Sequence, residues 1–260
     1  GGAARAVRPG RAGVRELLVV SRDTNACRID LKYQTDFWQG RPLKSNLASL
    51  AAAMSELGIS RRLHYVNPHP NADALIPMMA EGKLLPYIDM RLQRGAQSVL
   101  QRIKRPAGTE QTLDRSARWR DLCPDLTIRY TPIVGCPGET REEFETLLHF
   151  IETAELDRVG GFQYSGVKGA AANDLPQPVP EEIKADRWKQ FMALQQSISA
   201  SKLQRKVGAT QQILIDTVSD EGSTGRTRAD AAEIGGMVHP LVVTEFQPGG
   251  AGAGRDYRCR

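Results

Sequence analysis

The residues with the clearest capacity for chemistry lie at one short corner of the sequence, IVGCPGET, residues 133–140. Gly135 and Gly138 permit backbone angles that other residues avoid, and Pro137 stiffens the chain between them. Such a corner leaves backbone N–H groups and a bare peptide edge beyond the carboxyl end of a strand, where parallel α/β folds bind their ligands. The corner therefore predicts a ligand-binding turn, and a βα turn that binds nothing is the open alternative.

The residues on either side of the corner predict the two elements that position it. The stretch TIRYTPIV, residues 127–134, is rich in β-branched residues and predicts a buried strand. Pro132 lies within it and cannot donate a ladder hydrogen bond, so we expect the strand to be irregular there. Thr140 and Glu143 have the spacing of a capping box, which predicts a helix that runs to about Ala154.

The other residue types that bind metals show no ligand spacing. His64 and His69, in HYVNPH, are the best placed of the histidines, but solvent or turn roles are favoured because no carboxylate or cysteine completes a set. The cysteines form no CxxC pair and no disulfide framework, so a reducing cytoplasm is expected. They are Cys27, Cys123, Cys136 and Cys259.

Aromatic and basic residues outside the corner have mainly structural interpretations. Trp188 and Phe191 lie on the apolar side of a predicted helix and are expected to pack in the core. Basic clusters around Arg61, Lys104 and 226–228 are expected to be solvated surfaces. Contact of Arg226 and Arg228 with a protein or RNA partner is the alternative. No Ser-His-Asp order, Walker motif or paired-acid spacing is present.

Strands and helices alternate through the first two thirds of the chain, which predicts βαβ units and a parallel sheet. Five strands are too few for a closed eight-stranded barrel but fit an open, partial one. The predicted strands are 16–21, 63–66, 87–92, 127–134 and 158–164, and the helices are 47–57, 72–81, one beginning near 98–104, 110–122 and 141–154.

The last third of the sequence has a different pattern. A proline-rich connector, residues 170–180, precedes a predicted helix over 181–203. After Gly208, short strands and turns predict a small β-barrel. The apolar side of the helix is expected to contain Ile183, Trp188, Phe191, Leu194 and Ile198.

Composition limits the class of protein. A chain of 260 residues with formal net charge +5 buries a sizeable core and favours acidic partners. No stretch of about 18 apolar residues predicts a membrane span, and the first 13 residues contain arginines but no apolar signal core.

Ordered segments of the sequence resemble one known family, the radical S-adenosylmethionine (SAM) methylthiotransferases of the RimO type. The resemblance covers about residues 13–240, and DAAEIGG, residues 230–236, is similar to the start of the RimO-type TRAM domain. That motif favours this branch over the tRNA-modifying relatives. The other matching segments are RELLVVSRDT, RLHYVNPHP, MAEGKLLPYIDMRLQRG, IVGCPGET, LDRVGGFQYSGVKGAAA and VPEEIKADRWKQFMALQQSIS.

The resemblance implies a reaction, its cofactors and their binding residues. The family transfers a methylthio group to the β-carbon of an aspartate on a small-subunit ribosomal protein, using SAM and [4Fe–4S] clusters. The corner then lies beside the adenosine of SAM, and Asp23 lies near its methionine moiety or only caps a loop. The implied cofactor-binding residues are Asp23, Thr24, Asp89, Gln93, Val134, Gly135, Pro137 and Gly138.

Three features depart from the family pattern. The chain as given has neither the family's N-terminal cluster domain nor its CxxxCxxC motif, so its cysteines provide no expected metal ligand. Cys136 stands where the family has an apolar residue and is expected to be a small buried hydrophobic side chain. In YIDMRLQRG, Arg91 and Arg94 replace a proline and a histidine, and the TRAM resemblance ends after about Val243.

Together these observations predict an α/β chain with a partial radical-SAM TIM-like barrel and an incomplete TRAM-like β domain. The predicted function is that of a fragment or diverged form of a ribosomal-protein aspartate methylthiotransferase acting in the cytoplasm. Its partners would be a small-subunit ribosomal protein and ribosomal RNA. A non-catalytic remnant and a tRNA methylthiotransferase fragment are the alternatives, so enzymatic activity stays open. The predicted boundaries are 1–12 (disordered), 13–169 (barrel), 170–207 (connector and helix), 208–248 (TRAM-like) and 249–260 (disordered tail).

Overall fold

The computed structural model describes most of the chain, which divides into two compact units. The first unit comprises Gly1–Ile88, Leu122–Leu126 and Val207–Arg260, and the second Asp89–Asp121 and Thr127–Lys206. Among the described helices, none has the length and apolar character needed to cross a membrane. The described residues are 14–20, 35–44, 46–66, 70–90, 109–166, 173, 175–219, 222–232, 235–239, 246–247 and 256–257.

Parallel strands form the sheet of the first unit. Strand β1 (Glu16–Val20) pairs in parallel along its whole length with β4 (Ser60–His64). Leu63 of β4 pairs in turn with Ile88 of β5 (Tyr87–Met90). The predicted parallel α/β architecture is therefore confirmed.

Residues between β1 and β4 form a hairpin that the sequence pattern did not predict. Strand β2 (Thr35–Trp38) pairs antiparallel with β3 (Arg41–Lys44) around Gln39 and Gly40, both at positive φ. The side chain of Asn46 then accepts a hydrogen bond from the backbone N–H of Ser49 and caps helix α1 (Leu47–Ser55).

Two predictions in the first unit are corrected. The strand expected at 63–66 is β4, which begins three residues earlier at Ser60. It includes two buried arginines, Arg61 and Arg62, whose guanidinium groups are hydrogen-bonded inside the unit. The helix expected over 72–81 is instead two short helices, α2 (Pro70–Asp73) and α3 (Ile76–Ala80). Pro77 in the first turn of α3 has no N–H to continue a helix from α2.

His64 is also corrected. It lies in β4 with 3% of its surface exposed, and its ring is 5.5 Å from the ring of Tyr87. It is therefore a core residue rather than a solvent or turn residue. His69 lies outside the described residues.

The described residues of the second unit form short parallel strands and three long helices. Strand β6 (Thr127–Tyr130) pairs with β8 (Arg158–Val159), and β7 (Ile133–Val134) pairs with β9 (Phe162–Gln163). The helices are α4 (Thr109–Leu122, its last residue in the first unit), α5 (Arg141–Thr153) and α6 (Glu181–Gln204). The predicted bounds of these helices are confirmed within one or two residues.

The two strands predicted over 127–134 and 158–164 are each interrupted. The first breaks at Thr131 and Pro132, as expected from the missing proline N–H. The second breaks at Gly160 and Gly161, which the sequence pattern did not predict. A Cβ on Gly161 would lie 2.8 Å from the ring of Phe191, so this glycine lets α6 pack closely.

The buried face of α6 differs from the predicted apolar side. Phe191 is fully buried as expected, but Ile183 is 44% exposed. Lys184 and Gln195 are buried instead, and Trp188 donates from Nε1 to the Gly161 carbonyl at 2.7 Å. The helix turns a mixed polar and apolar face toward the strands, because its polar groups find partners there.

The C-terminal part of the first unit contains an antiparallel hairpin, β10 (Ile213–Ser219) and β11 (Gly222–Thr227), with a bridge from Gly225 to Val238. Asp230 is buried and accepts hydrogen bonds from the Thr227 hydroxyl at 2.7 Å and the Gly236 N–H at 3.0 Å. Strands β12 (Phe246–Gln247) and β13 (Asp256–Tyr257) pair antiparallel. Residues 1–12, most of 249–260 and the segment 98–104 lie outside the described residues.

Candidate functional site

The corner predicted between strand and helix is present. Strand β7 ends at Val134, and Gly135 and Gly138 both have φ of +75°. Thr140 caps α5 through the predicted capping box: its hydroxyl accepts from the Glu143 N–H at 3.2 Å, and its own N–H donates to Glu143 at 2.9 Å. Hydrogen bonds from the backbone and from Thr140 hold the pKa of Glu142 below its usual range.

The backbone N–H groups of the two glycines are used within the chain. Gly135 N–H donates to the Glu139 carboxylate at 2.9 Å, and Gly138 N–H donates to the Gln177 carbonyl at 2.7 Å. The expectation that the corner leaves these groups free is therefore wrong. The Val134 and Cys136 carbonyls are also used within the chain: they accept from the Tyr164 N–H at 2.8 Å and the Glu139 N–H at 2.9 Å.

A partly buried ion pair holds the corner against α6. Arg187 NH1 donates to Glu139 Oε1 at 2.7 Å and to the Glu139 carbonyl at 3.0 Å. Its guanidinium carbon also lies 5.6 Å from the centre of the Phe144 ring. Glu139 Oε1 therefore accepts hydrogen bonds both from the Gly135 N–H of the corner and from Arg187 of α6.

Neutralising Glu139 should loosen this corner. We expect Glu139→Gln to lower the free energy of unfolding by about 1–3 kcal/mol, because the amide keeps one acceptor but loses the charged hydrogen bond. Chemical denaturation measures this value. The control is Glu145→Gln, whose partner Arg141 is 79% exposed and which should change stability by less than about 1 kcal/mol. Equal effects of the two substitutions would contradict the assigned role of Glu139.

Lys184 lies directly over the Cα of Gly135. A Cβ built on Gly135 would overlap Lys184 Cγ and lie 3.0 Å from Lys184 Cβ. The Lys184 ammonium reaches Glu181 at 2.6 Å and lies 5.7 Å from the Tyr164 ring centre. This glycine is therefore required by the approach of α6 as well as by its backbone angle.

The residues of the corner are largely covered. Val134 and Cys136 have no exposed surface, Pro137 is buried, and Gly138 is partly exposed. The prediction that Cys136 is a small buried hydrophobic residue is confirmed.

Asp89, another predicted site residue, lies at the end of β5 with no exposed surface. Its Oδ2 accepts from Arg129 of β6 at 2.6 Å, so a partly buried cation already balances its charge. Asp23, Thr24 and Gln93 lie outside the described residues, as do Arg91 and Arg94.

The residues of the described ranges do not fit an iron–sulfur cluster. No group of three His, Cys, Asp or Glu side chains within those ranges converges on a common point. Burial and then the nearby Asp125 raise the pKa of the Cys123 thiol, which disfavours the thiolate that iron requires. Cys27 and Cys259 lie outside the described residues.

Sequence reasoning missed three residues that support the corner. It predicts no contact among Glu139, Lys184 and Arg187. The one available signal was the spacing of three residues between Lys184 and Arg187, which places both on one face of α6. Nothing in the sequence indicated that this face would contact the corner.

Comparison with known proteins identifies close sequence relatives. The chain is 57% identical over 246 residues to the ribosomal protein uS12 methylthiotransferase RimO of Hydrogenovibrio crunogenus, covering 95% of this chain and 54% of that protein. It is 52% identical to the protein of the same name from Cronobacter sakazakii, covering 95% and 56%. The chain spans about half the length of the curated relatives it matches. No protein-family model matches it.

Solved structures resemble the chain more distantly. The Escherichia coli radical SAM enzyme coproporphyrinogen III oxidase, HemN, has a TM-score of 0.46 and 18% identity, covering 58% of this chain and 37% of that one. A similarity this low does not establish a shared fold or function.

Proposed function

We propose that this chain is part of a ribosomal-protein aspartate methylthiotransferase of the RimO type, because it matches about half the length of proteins of that name. The observation that carries this proposal is identity of 52–57% over 95% of the chain to two proteins named for uS12 methylthiolation. The proposed substrate is accordingly an aspartate of a small-subunit ribosomal protein, and the proposed location is the cytoplasm.

The described residues are proposed to supply the nucleoside side of a SAM site. The ligand would contact the corner Val134–Gly138 through its partly exposed edge at Gly138. The N–H groups of Gly135 and Gly138 are already bonded within the chain, so the nucleoside is proposed to pack against the Gly138 backbone without a hydrogen bond from either group. Asp23, Thr24, Asp89 and Gln93 are proposed to lie on the methionine side on the basis of the resemblance alone.

The reductive step of the reaction is not assigned to this chain's described residues. A [4Fe–4S] cluster, when bound, would reduce SAM to a radical, and the described residues lack the three thiolates it needs. The work left to these residues is binding and orientation. The Glu139–Arg187 pair and the stem of Lys184 hold the corner rigid for that purpose.

The finer architecture is proposed in the same way. The parallel strands would be part of an open radical-SAM barrel, and β10, β11 and the Asp230 turn part of a TRAM-like domain. That domain would bring the ribosomal partner, including ribosomal RNA, to the site. A non-catalytic remnant that binds at most a ribosomal protein or RNA is the second candidate.

A chimeric enzyme tests the proposal. The 246-residue matched segment of the Hydrogenovibrio crunogenus protein would be replaced by this chain, and the purified chimera reconstituted anaerobically with iron and sulfide. We expect it to add one methylthio group to uS12, detected by mass spectrometry. A folded, cluster-containing chimera that leaves uS12 unmodified would favour the non-catalytic alternative.

A glycine variant tests the corner within the same chimera. We expect Gly138→Ala to lower the rate roughly tenfold to hundredfold, since a displaced corner misplaces the bound nucleoside. The matched control is Gly208→Ala, which has a similar positive φ of +84° and open space around its Cα. An equal loss in both variants would assign the effect to backbone strain and remove the support for the corner.

A further inference from the structure

The first unit contains a cavity of about 400 Å³ that the proposed function does not use. It opens beside the amino ends of β1 and β4, whereas ligands of parallel α/β sheets bind beyond the carboxyl ends. Five arginines and one glutamate are among its lining residues: Arg15, Arg61, Arg62, Arg226, Arg228 and Glu16.

The carboxylate of this lining, Glu16, is already engaged. It accepts from Arg62 at 2.7 Å and from Arg226 at 2.6 Å, through different oxygens. Arg226 is further paired with Asp216, and these two carboxylates raise its pKa. The described lining therefore has more positive charge than Glu16 balances.

Arg61 contributes to this excess of positive charge, and its side chain is buried. It is 7% exposed, and its NH1 donates to the Met54 carbonyl at 2.7 Å. Among the described residues its buried Nε has no hydrogen-bond partner, and no carboxylate of those residues forms an ion pair with it. Burial without a compensating anion lowers the pKa of Arg61. A cation in this situation is costly, and a bound anion would remove most of that cost.

We propose that this cavity binds the phosphate group of a small phosphate monoester, with Arg61 as its buried anchor and Arg228 at its exposed side. The planar guanidinium fork matches phosphate oxygens in a bidentate geometry. A volume of about 400 Å³ suits a ligand of sugar-phosphate size. Ile59, Leu84 and Ile213 line the same cavity and provide apolar surface for the carbon skeleton.

The burial of Arg61 favours a small molecule over a nucleic-acid backbone. A polymer contacts exposed cations along a surface, whereas a terminal phosphate enters a cavity and reaches a buried guanidinium. Arg61 therefore distinguishes the two classes of ligand, and both are included in the test.

Calorimetric titration of the 260-residue chain with ribose 5-phosphate tests the proposal. This probe has no base, so it does not report on the proposed nucleoside corner. We expect one site, competition by inorganic phosphate, and no binding of ribose at the same ionic strength. Arg61→Gln should weaken binding at least about tenfold, because it removes a charged bidentate contact.

Two further variants keep the test decisive. Arg41→Gln removes an equal charge from a side chain 67% exposed on the β2–β3 hairpin, and it should leave the affinity unchanged. Arg228→Gln should weaken binding severalfold. This variant tests phosphate binding in the cavity if Arg61→Gln does not fold. Absence of binding, equal losses in Arg41→Gln and Arg61→Gln, or binding of oligoribonucleotides alone would overturn the proposal.

Discussion

Replacing Glu16 by methionine should lower the free energy of unfolding by about 3–5 kcal/mol, the largest loss we expect from removing one carboxylate. Glu16 is 6% exposed, and it holds Arg62, which is 1% exposed, and Arg226, which is 12% exposed. Methionine keeps the length of the side chain but leaves one buried guanidinium without its anion. Arg226 retains Asp216, so most of the loss arises at Arg62.

Chemical denaturation of matched variants measures this effect. The control Glu56→Gln breaks the pair with Arg41, whose side chains are 40% and 67% exposed, and should cost less than about 1 kcal/mol. The double variant Glu16→Met, Arg62→Met should recover much of the stability, since it removes the uncompensated charge together with its partner. No recovery in the double variant would show that packing rather than charge explains the loss.

Gly135→Ala should lower the free energy of unfolding by about 2–5 kcal/mol. Part of this cost is the positive φ of +75°, which disfavours any side chain by about 1–2 kcal/mol. The remainder is the overlap of the new Cβ with the stem of Lys184, an overpacking cost of about 1–3 kcal/mol. Because the corner is tied to α6, we expect the strain to spread to the Glu139–Arg187 pair.

Gly58 provides the control that separates these two costs. It has a similar φ of +65°, and a Cβ added there would meet nothing within 4 Å, so Gly58→Ala should show the conformational cost alone. Adding Lys184→Ala to Gly135→Ala should recover part of the difference, because it removes the atoms that the new Cβ meets. If both glycine variants lower the free energy of unfolding equally, the contact of Lys184 with a Cβ at residue 135 contributes nothing to the loss.

Much of the fold follows from local sequence pattern. The capping box at Thr140 and the bounds of α4, α5 and α6 depend on neighbours three or four residues apart, so the sequence predicts them well. The parallel α/β class follows from the alternation of strand and helix patterns. The corner at Gly135 and Gly138 is predictable because glycine and proline restrict backbone angles locally.

The predictions that failed depend on contacts between residues distant in sequence. Strand β4 begins at Ser60 because Arg62 forms an ion pair with Glu16, 46 residues away. Glu16 also pairs with Arg226, 210 residues away. Hydrophobicity predicts the burial of Phe191 on α6 but not that of Lys184, which is buried because its side chain packs against Gly135.

The local elements, the corner and the family resemblance can be predicted from the sequence, since each depends on residue types at short spacing. Which polar side chains are buried depends on the tertiary structure. A buried charge is stable only with a partner from another part of the chain, and local pattern does not reveal that partner. The same reason hides Arg61 and its cavity from sequence analysis, which interprets its basic cluster as a solvated surface.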